Sequence, residues 1–162
     1  VAGTAAQCEA AVPTRWVCFN PNIMFQAQEG LPSADKRAFR WFCQWVFGVA
    51  LRGPGKKVLY VDELWRFVEN RADMIPAELE AILRDGRARN LEFIASSQYP
   101  KDYARSVRAA VTEWVCFSTT EPADLDAVRP YFRGIDRVAA LAPGSFLAYN
   151  RESGAELAGR VF

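Results

Sequence analysis

The stretch Lys57-Val-Leu-Tyr-Val-Asp-Glu-Leu-Trp65 decides the fold. Apolar and aromatic strand formers predict a buried strand over Val58–Val61, and it stops at two adjacent carboxylates, Asp62 and Glu63. About thirty residues on, Leu91-Glu-Phe-Ile-Ala-Ser-Ser-Gln98 repeats the design. It reads as a strand over Leu91–Ser96, followed by the polar amide of Gln98. Between the two, Pro76 fits the first turn of a helix running to about Arg87. Its spacing puts Leu79, Ile82 and Leu83 inward and Glu78, Glu80, Arg84 and Arg87 outward. Continuous apolar strands alternating with helices predict an α/β fold, with a mainly parallel sheet covered on both faces in three α/β/α layers.

The flanking sequence extends this pattern. Arg15-Trp-Val-Cys-Phe19 reads as a short buried strand, stopped by Asn20-Pro21. Ser33 is placed to cap a helix that carries Asp35 in its first turn and runs to about Leu51. That helix is apolar on nearly every face, which predicts a place inside the core. Arg52-Gly-Pro-Gly-Lys56 breaks it. Leu64 to Glu69 reads as a helical turn, Lys101 to Ala110 as a helix and Glu113 to Phe117 as a strand. Pro122 opens a helix ending near Phe132. Residues 144–149 and 156–162 read as a closing β-hairpin around Glu152-Ser-Gly154. Trp41, Trp45, Trp65 and Trp114 are read as core residues. With 162 residues, the chain is long enough for one domain with a substantial core.

Composition excludes several chemistries. The absence of histidine removes Ser-His-Asp and Cys-His catalysis and His-containing zinc sites. The four cysteines, Cys8, Cys18, Cys43 and Cys116, never form a CxxC and read as reduced core residues of an intracellular protein. A net charge of +1 provides no global field toward nucleic acid or membrane, so any such contact must be a local patch or the sum of patches in an assembly. The longest apolar run, Ala38 to Leu51, is shorter than the roughly 20 residues of a membrane-spanning helix.

The acids carry the chemistry. In open α/β sheets, ligands bind beyond the carboxyl ends of the strands. An Asp there can hold the water shell of Mg²⁺, which prefers oxygen ligands, and an adjacent Glu can take a proton from an attacking water. Acids at a helix N-terminus would also simply suit the helix dipole. Gln98, at the end of the neighbouring strand, can contact both a γ-phosphate and the attacking water. Arg84-Asp-Gly-Arg87-Ala-Arg89-Asn90 lies between helix and strand. Basic residues there suit a helix C-terminus, and a guanidinium there could also be offered to a phosphoryl group of the next subunit.

These segments together resemble the FtsK–HerA superfamily of P-loop motors. The carriers of the resemblance are Val58-Leu-Tyr-Val-Asp-Glu63, Arg84-Asp-Gly-Arg87-Ala-Arg-Asn90 and Leu91-Glu-Phe-Ile-Ala-Ser-Ser-Gln98-Tyr-Pro100, in matching order over roughly residues 57 to 120. In that family a Walker B strand ends in Asp-Glu, a basic R-x-G-R turn follows a helix, and the next strand ends in a sensor glutamine. Trp16 to Pro21 resembles the preceding strand, which often ends in Asp-Pro; here the Asp is Asn20. The small size resembles a viral genome-packaging ATPase.

The resemblance implies ATP and Mg²⁺ as cofactors. It implies Asp62 as the metal-side acid, Glu63 as base, Gln98 as sensor, and Arg87 as a trans-acting finger with Arg84 and Arg89 behind it. It further implies a homo-oligomeric ring, a hexamer, acting on double- or single-stranded DNA at a capsid vertex or portal, in the host cytoplasm or with the virion. Lys101, Arg105 and Arg108 on one short helix could touch DNA phosphates in a central pore, although a solvated surface helix would carry the same residues. No G-x-x-x-x-G-K-[ST] occurs in the chain. Gly53-Pro-Gly-Lys-Lys57 precedes a strand, where a P-loop follows one, and Val1-Ala-Gly-Thr4 has no lysine. The first strand and P-loop are therefore expected upstream of Val1. The alternatives are a filamentous-phage assembly ATPase resembling the zonula occludens toxin family, and a nucleotide-binding structural module without turnover.

Overall fold

The computed structural model describes Ala2 and residues 4–12, 17–20, 34–68 and 75–162. Trp16 and the Ser33 cap lie outside the described residues. The chain groups into two compact units, one holding residues 1–68 and 76–96, the other residues 69–75 and 97–162.

The first unit opens with a parallel bridge between Ala2 and Phe19. Between them runs α1, Ala5–Ala11, where Thr4 accepts the Gln7 N–H at 3.3 Å as N-cap. α2 spans Ala34–Arg52. It buries Ala38, Phe39, Phe42, Cys43 and Ala50 while Arg40 and Gln44 stay exposed. Two stacked rings one turn apart anchor its first half: Phe42 on Phe19 at 4.3 Å and Phe39 on Phe67 at 4.6 Å.

β1 (Lys57–Val61) and β2 (Leu91–Ala95) pair in parallel, with Lys57 opposite Leu91 and Val61 opposite Ala95. The crossover helix α3, Ala77–Asp85, buries Leu79 and Ile82 and packs on α2 and β2. Arg40 of α2 clamps Glu78 of α3 through two nitrogens, at 3.0 and 3.1 Å. The α/β class and the neighbouring parallel strands are thus as the sequence predicts. Leu59, Val61 and Leu91 are buried on one face of the pair, whereas Val58, Tyr60 and Ile94 are about half exposed, at 52%, 59% and 49%. Apolar composition predicts burial on both faces; the described residues cover one.

In the second unit, a 3-10 turn (Pro100–Asp102) and α4 (Arg105–Ala110) precede β3, Glu113–Phe117. After α5 (Pro122–Val128) and a 3-10 segment (Ile135–Ala140) come β4 (Ser145–Asn150) and β5 (Glu156–Arg160). The C-terminal hairpin forms as expected. Asn150 Oδ1 accepts the N–H groups of Glu152 and Ser153, and Gly154 takes the left-handed turn position at φ +71°. β3 adds antiparallel to β4, with Trp114 opposite Tyr149, so the strand predicted over Glu113–Phe117 joins the hairpin. Trp114, Val128, Phe132, Ile135, Val138 and Leu147 form this unit's core.

Three expectations are corrected. α5 ends at Val128 rather than Phe132, because Pro130 has no N–H to continue the ladder. Lys101 and Arg105 do not share a helix. Tyr103 and Ala104 between them are extended, with ψ of 140° and 144°, splitting the segment into a turn and a short helix. Trp65 is exposed rather than in the core, because its indole N–H reaches out to Glu63.

Candidate functional site

The register of the parallel pair builds the site. Val61 opposite Ala95 sets the next two residues, Asp62 and Ser96, side by side at the carboxyl end of the sheet. The backbone closes the corner, Ser96 N–H donating to Val61 O at 3.0 Å and Leu64 N–H donating to Ser96 O at 3.1 Å.

The Ser96 hydroxyl is the hub. It accepts the Glu63 backbone N–H at 3.3 Å, which directs its own proton onto Asp62 Oδ1. Tyr60 OH reaches the same Oδ1 at 3.3 Å. One carboxylate oxygen of Asp62 is therefore fixed by two hydroxyls from two strands. The hydrogen bonds among the described residues leave Oδ2 open, and Asp62 is exposed.

Glu63 is held differently. Its backbone lies in the left-handed region at φ 50°, ψ 54°, a conformation that costs a non-glycine residue about 1 kcal/mol or more and concentrates at functional sites. Its half-buried carboxylate accepts the Trp65 indole N–H at 2.5 Å. Asp62 is bonded by Ser96 and Tyr60 and Glu63 by Trp65, so different side chains hold the two acids.

A single positioned aspartate suits Mg²⁺, which is typically held by one or two carboxylates, water and substrate phosphates. Among the described residues no cluster of three or more acidic or thiol ligands exists, so no all-protein cage competes with that arrangement. Asp62, with one oxygen fixed and the other open, could hold such an ion.

Gln98 is exposed, three residues past the end of β2, and groups with the second unit. The first polar side chain beyond β2 is Ser96, not the amide. Sequence reasoning missed both Ser96 and Tyr60. The signal was available: in a parallel pair aligned end to end, the residue after Ala95 must face the residue after Val61.

The basic turn lies at the opposite edge. Lys57 N–H donates to Asn90 O at 2.7 Å, where the turn enters β2. Arg87 and Arg89 are thus a full strand, about 16 Å for five residues, from Asp62. Arg84 is paired to Asp85 at 3.2 Å, Arg89 sits over the Phe47 ring at 4.8 Å, and Arg87 is exposed. Lys57, in the P-loop-like Gly53-Pro-Gly-Lys-Lys57, donates its ammonium to the carbonyls of Gly53 and Pro54 and closes its own turn at the start of β1.

In the second unit, Lys101 donates its backbone N–H to the buried Asp124 at 3.1 Å. Arg105 is exposed at the start of α4. Arg108 is turned inward, donating Nη1 to the carbonyls of Pro100, Lys101 and Tyr103. It staples the 3-10 turn and does not extend a basic row with the other two.

Comparison with solved structures settles the architecture. The chain is similar to the DNA-packaging ATPase B204 of Sulfolobus turreted icosahedral virus, at 23% identity over 75% of this chain and 61% of that one, with a TM-score of 0.65. The fold is that of a P-loop ATPase. The genome packaging NTPase B204 of Sulfolobus turreted icosahedral virus 2, solved with AMPPCP, matches at 20% identity over 80% of this chain and 60% of that one, TM-score 0.60. VirB4 of Thermoanaerobacter pseudethanolicus matches at 19% over 85% of this chain and 39% of that one, TM-score 0.64. The chain thus spans about 60% of the length of the packaging NTPases it resembles. No family model and no curated protein matches it.

Proposed function

We propose that this chain is the catalytic core of an ATP-driven, ring-forming DNA translocase of the FtsK–HerA type that packages a viral genome into a capsid. The observation that carries the reading is the fixed Asp62 beside a separately held Glu63, at the carboxyl end of β1. That fold is shared with proteins described as genome-packaging NTPases, one of them solved with an ATP analogue. The two units work as one ATPase domain. The motor acts in the host cytoplasm and at the virion, as a hexamer on DNA at a capsid vertex.

Bound Mg²⁺ and ATP supply the electrophilic γ-phosphoryl group. Asp62, whose Oδ1 is fixed by Ser96 and Tyr60, would hold the ion, which would neutralise charge on the phosphates. Glu63 accepts the proton of the attacking water as its oxygen bonds to the γ-phosphorus and the bond to the β,γ-bridging oxygen breaks, releasing ADP and phosphate. Gln98 orients that water, and Arg87 reaches the γ-phosphate of the adjacent subunit.

The test is Glu63→Gln in the full-length protein. It retains nucleotide binding and loses turnover by about 10²–10⁴-fold, the usual contribution of a positioned base. Near-normal hydrolysis would remove Glu63 from the mechanism.

A further inference from the structure

The second unit carries an open cleft of about 370 Å³ between the end of α5 and the hairpin, lined by Arg129, Tyr131, Arg133, Tyr149 and Arg151 among others. Its five named side chains are all hydrogen-bond donors. Arg151 is pre-positioned: Nη1 donates to the carbonyls of Ala109 and Val111 at 2.8 and 2.9 Å, and its guanidinium lies 5.2 Å from the Tyr131 ring centre. Those carbonyls hold the group without cancelling its charge. Among the described residues, nothing hydrogen-bonds its Nε and Nη2, the Arg133 guanidinium, or the Tyr131 and Tyr149 hydroxyls.

Arg129 differs, being neutralised by Asp126 at 3.2 Å and Asp136 at 2.5 Å. The cleft thus offers two uncompensated guanidiniums, one fixed and one at the rim, with two phenols beside them. That set matches an anion with several acceptor oxygens. The tyrosine rings are packed, Tyr131 between Trp114 and the Arg151 guanidinium and Tyr149 on Phe132, so the phenols contribute their hydroxyls as further donors to phosphate oxygens. An open cleft admits a strand passing through, whereas a free nucleotide is usually largely enclosed.

We propose that this cleft binds the phosphodiester backbone of single-stranded nucleic acid, through Arg133 and Arg151, with the tyrosine hydroxyls as further donors. The idea deepens the nucleic-acid part of the proposed function. It moves the contact from the segment of Lys101, Arg105 and Arg108, whose Arg108 is turned inward, to the cleft lined by Arg133 and Arg151.

The test uses this chain and a fluorescein-labelled oligothymidylate, followed by anisotropy at about 50 mM salt, where phosphate contacts are strong. Arg133→Glu, at an exposed position, weakens binding about tenfold or more and lowers the salt slope by about one phosphate contact. Arg105→Glu, on α4, leaves both unchanged. Thymidine monophosphate at equal nucleotide concentration fails to displace the strand. Unchanged binding by Arg133→Glu, loss of binding in Arg105→Glu alone, displacement by the mononucleotide, or no binding by the wild type would each overturn the proposal. None of these results depends on hydrolysis, so the Glu63→Gln measurement decides the motor reading separately.

Discussion

Ser96 at the end of β2 donates its hydroxyl proton to Asp62 at the end of β1. This one bond ties two strands together at the place where ligands of open α/β sheets bind. It also selects which Asp62 oxygen remains available. Groups that orient a metal-side ligand typically cost about 10–100-fold in affinity or activity when removed. Ser96→Ala should therefore lower Mg²⁺-dependent turnover of the full-length protein by about that factor, while Ser96→Thr, which keeps the hydroxyl, retains most of it. Equal activity in the alanine and threonine variants would show that the bond is structural only.

The Arg40–Glu78 clamp makes stability depend on pH. The Arg40 guanidinium, donating two hydrogen bonds, holds the Glu78 carboxyl below its usual 4.5. A carboxyl depressed in the folded state contributes stability above its unfolded pKa and loses it as pH falls through the folded value. Arg40 is 53% exposed, so screening limits the pair to about 0.5–1 kcal/mol. Urea unfolding at pH 7 should find Glu78→Gln less stable by that amount, with the gap closing as pH falls through the depressed carboxyl's titration. A gap independent of pH would mean that the clamp acts through packing alone.

Long elements with repeated apolar signals were legible in the sequence: α2, α3, β1, β2 and the hairpin all stand where their patterns put them. α1 was not read, since Ala5–Ala11 has too few large apolar residues to show a helical stripe. The site was half legible. Adjacent acids after an apolar strand announce Asp62 and Glu63, but Ser96 becomes visible only once strand register is fixed. The left-handed backbone at Glu63 has no sequence signal, because glutamate does not favour it. The pairing of β3 with the hairpin follows from long-range contacts that local composition does not encode.

Gly86, inside the basic turn, is required by space and not by its dihedral angles, which are helical at φ −59°, ψ −43°. A Cβ there would overlap the Ile82 carbonyl oxygen and lie 3.0 Å from the Leu91 oxygen. Both are backbone atoms and cannot rotate away. Gly86→Ala should lower stability by about 1–3 kcal/mol, as overpacking does, measured as a drop in the urea midpoint at unchanged slope. A neutral alanine would show that the α3–β2 corner relaxes freely.

The four cysteines should separate under alkylation. Cys18 is exposed, whereas Cys8 and Cys43 are buried. Burial pushes Cys43 well above its ordinary value and raises Cys116 to about 11. Only the thiolate reacts. At pH 8, native protein treated with iodoacetamide should gain one adduct, at Cys18, and four only after unfolding. Early labelling of Cys43 would contradict the packing of α2.

The basic turn makes the last prediction. Arg87 is exposed at the amino edge of the sheet, while Asp62 and Glu63 lie beyond its carboxyl edge. A strand of about 16 Å exceeds the reach of an arginine side chain, so Arg87 cannot serve its own subunit's acids. Arg87 is therefore the first choice for a neighbour's nucleotide, with Arg84 and Arg89 of the same turn behind it. Trans-acting arginines contribute about 10³–10⁵-fold to turnover. Arg87→Ala in the full-length protein should therefore bind ATP normally and hydrolyse it poorly. Mixed with Glu63→Gln subunits, it should recover part of the lost activity, because some interfaces then join an intact Glu63 to an intact Arg87. Assembled mixed rings without rescue, or full activity of Arg87→Ala alone, would reduce the turn to a cap on α3.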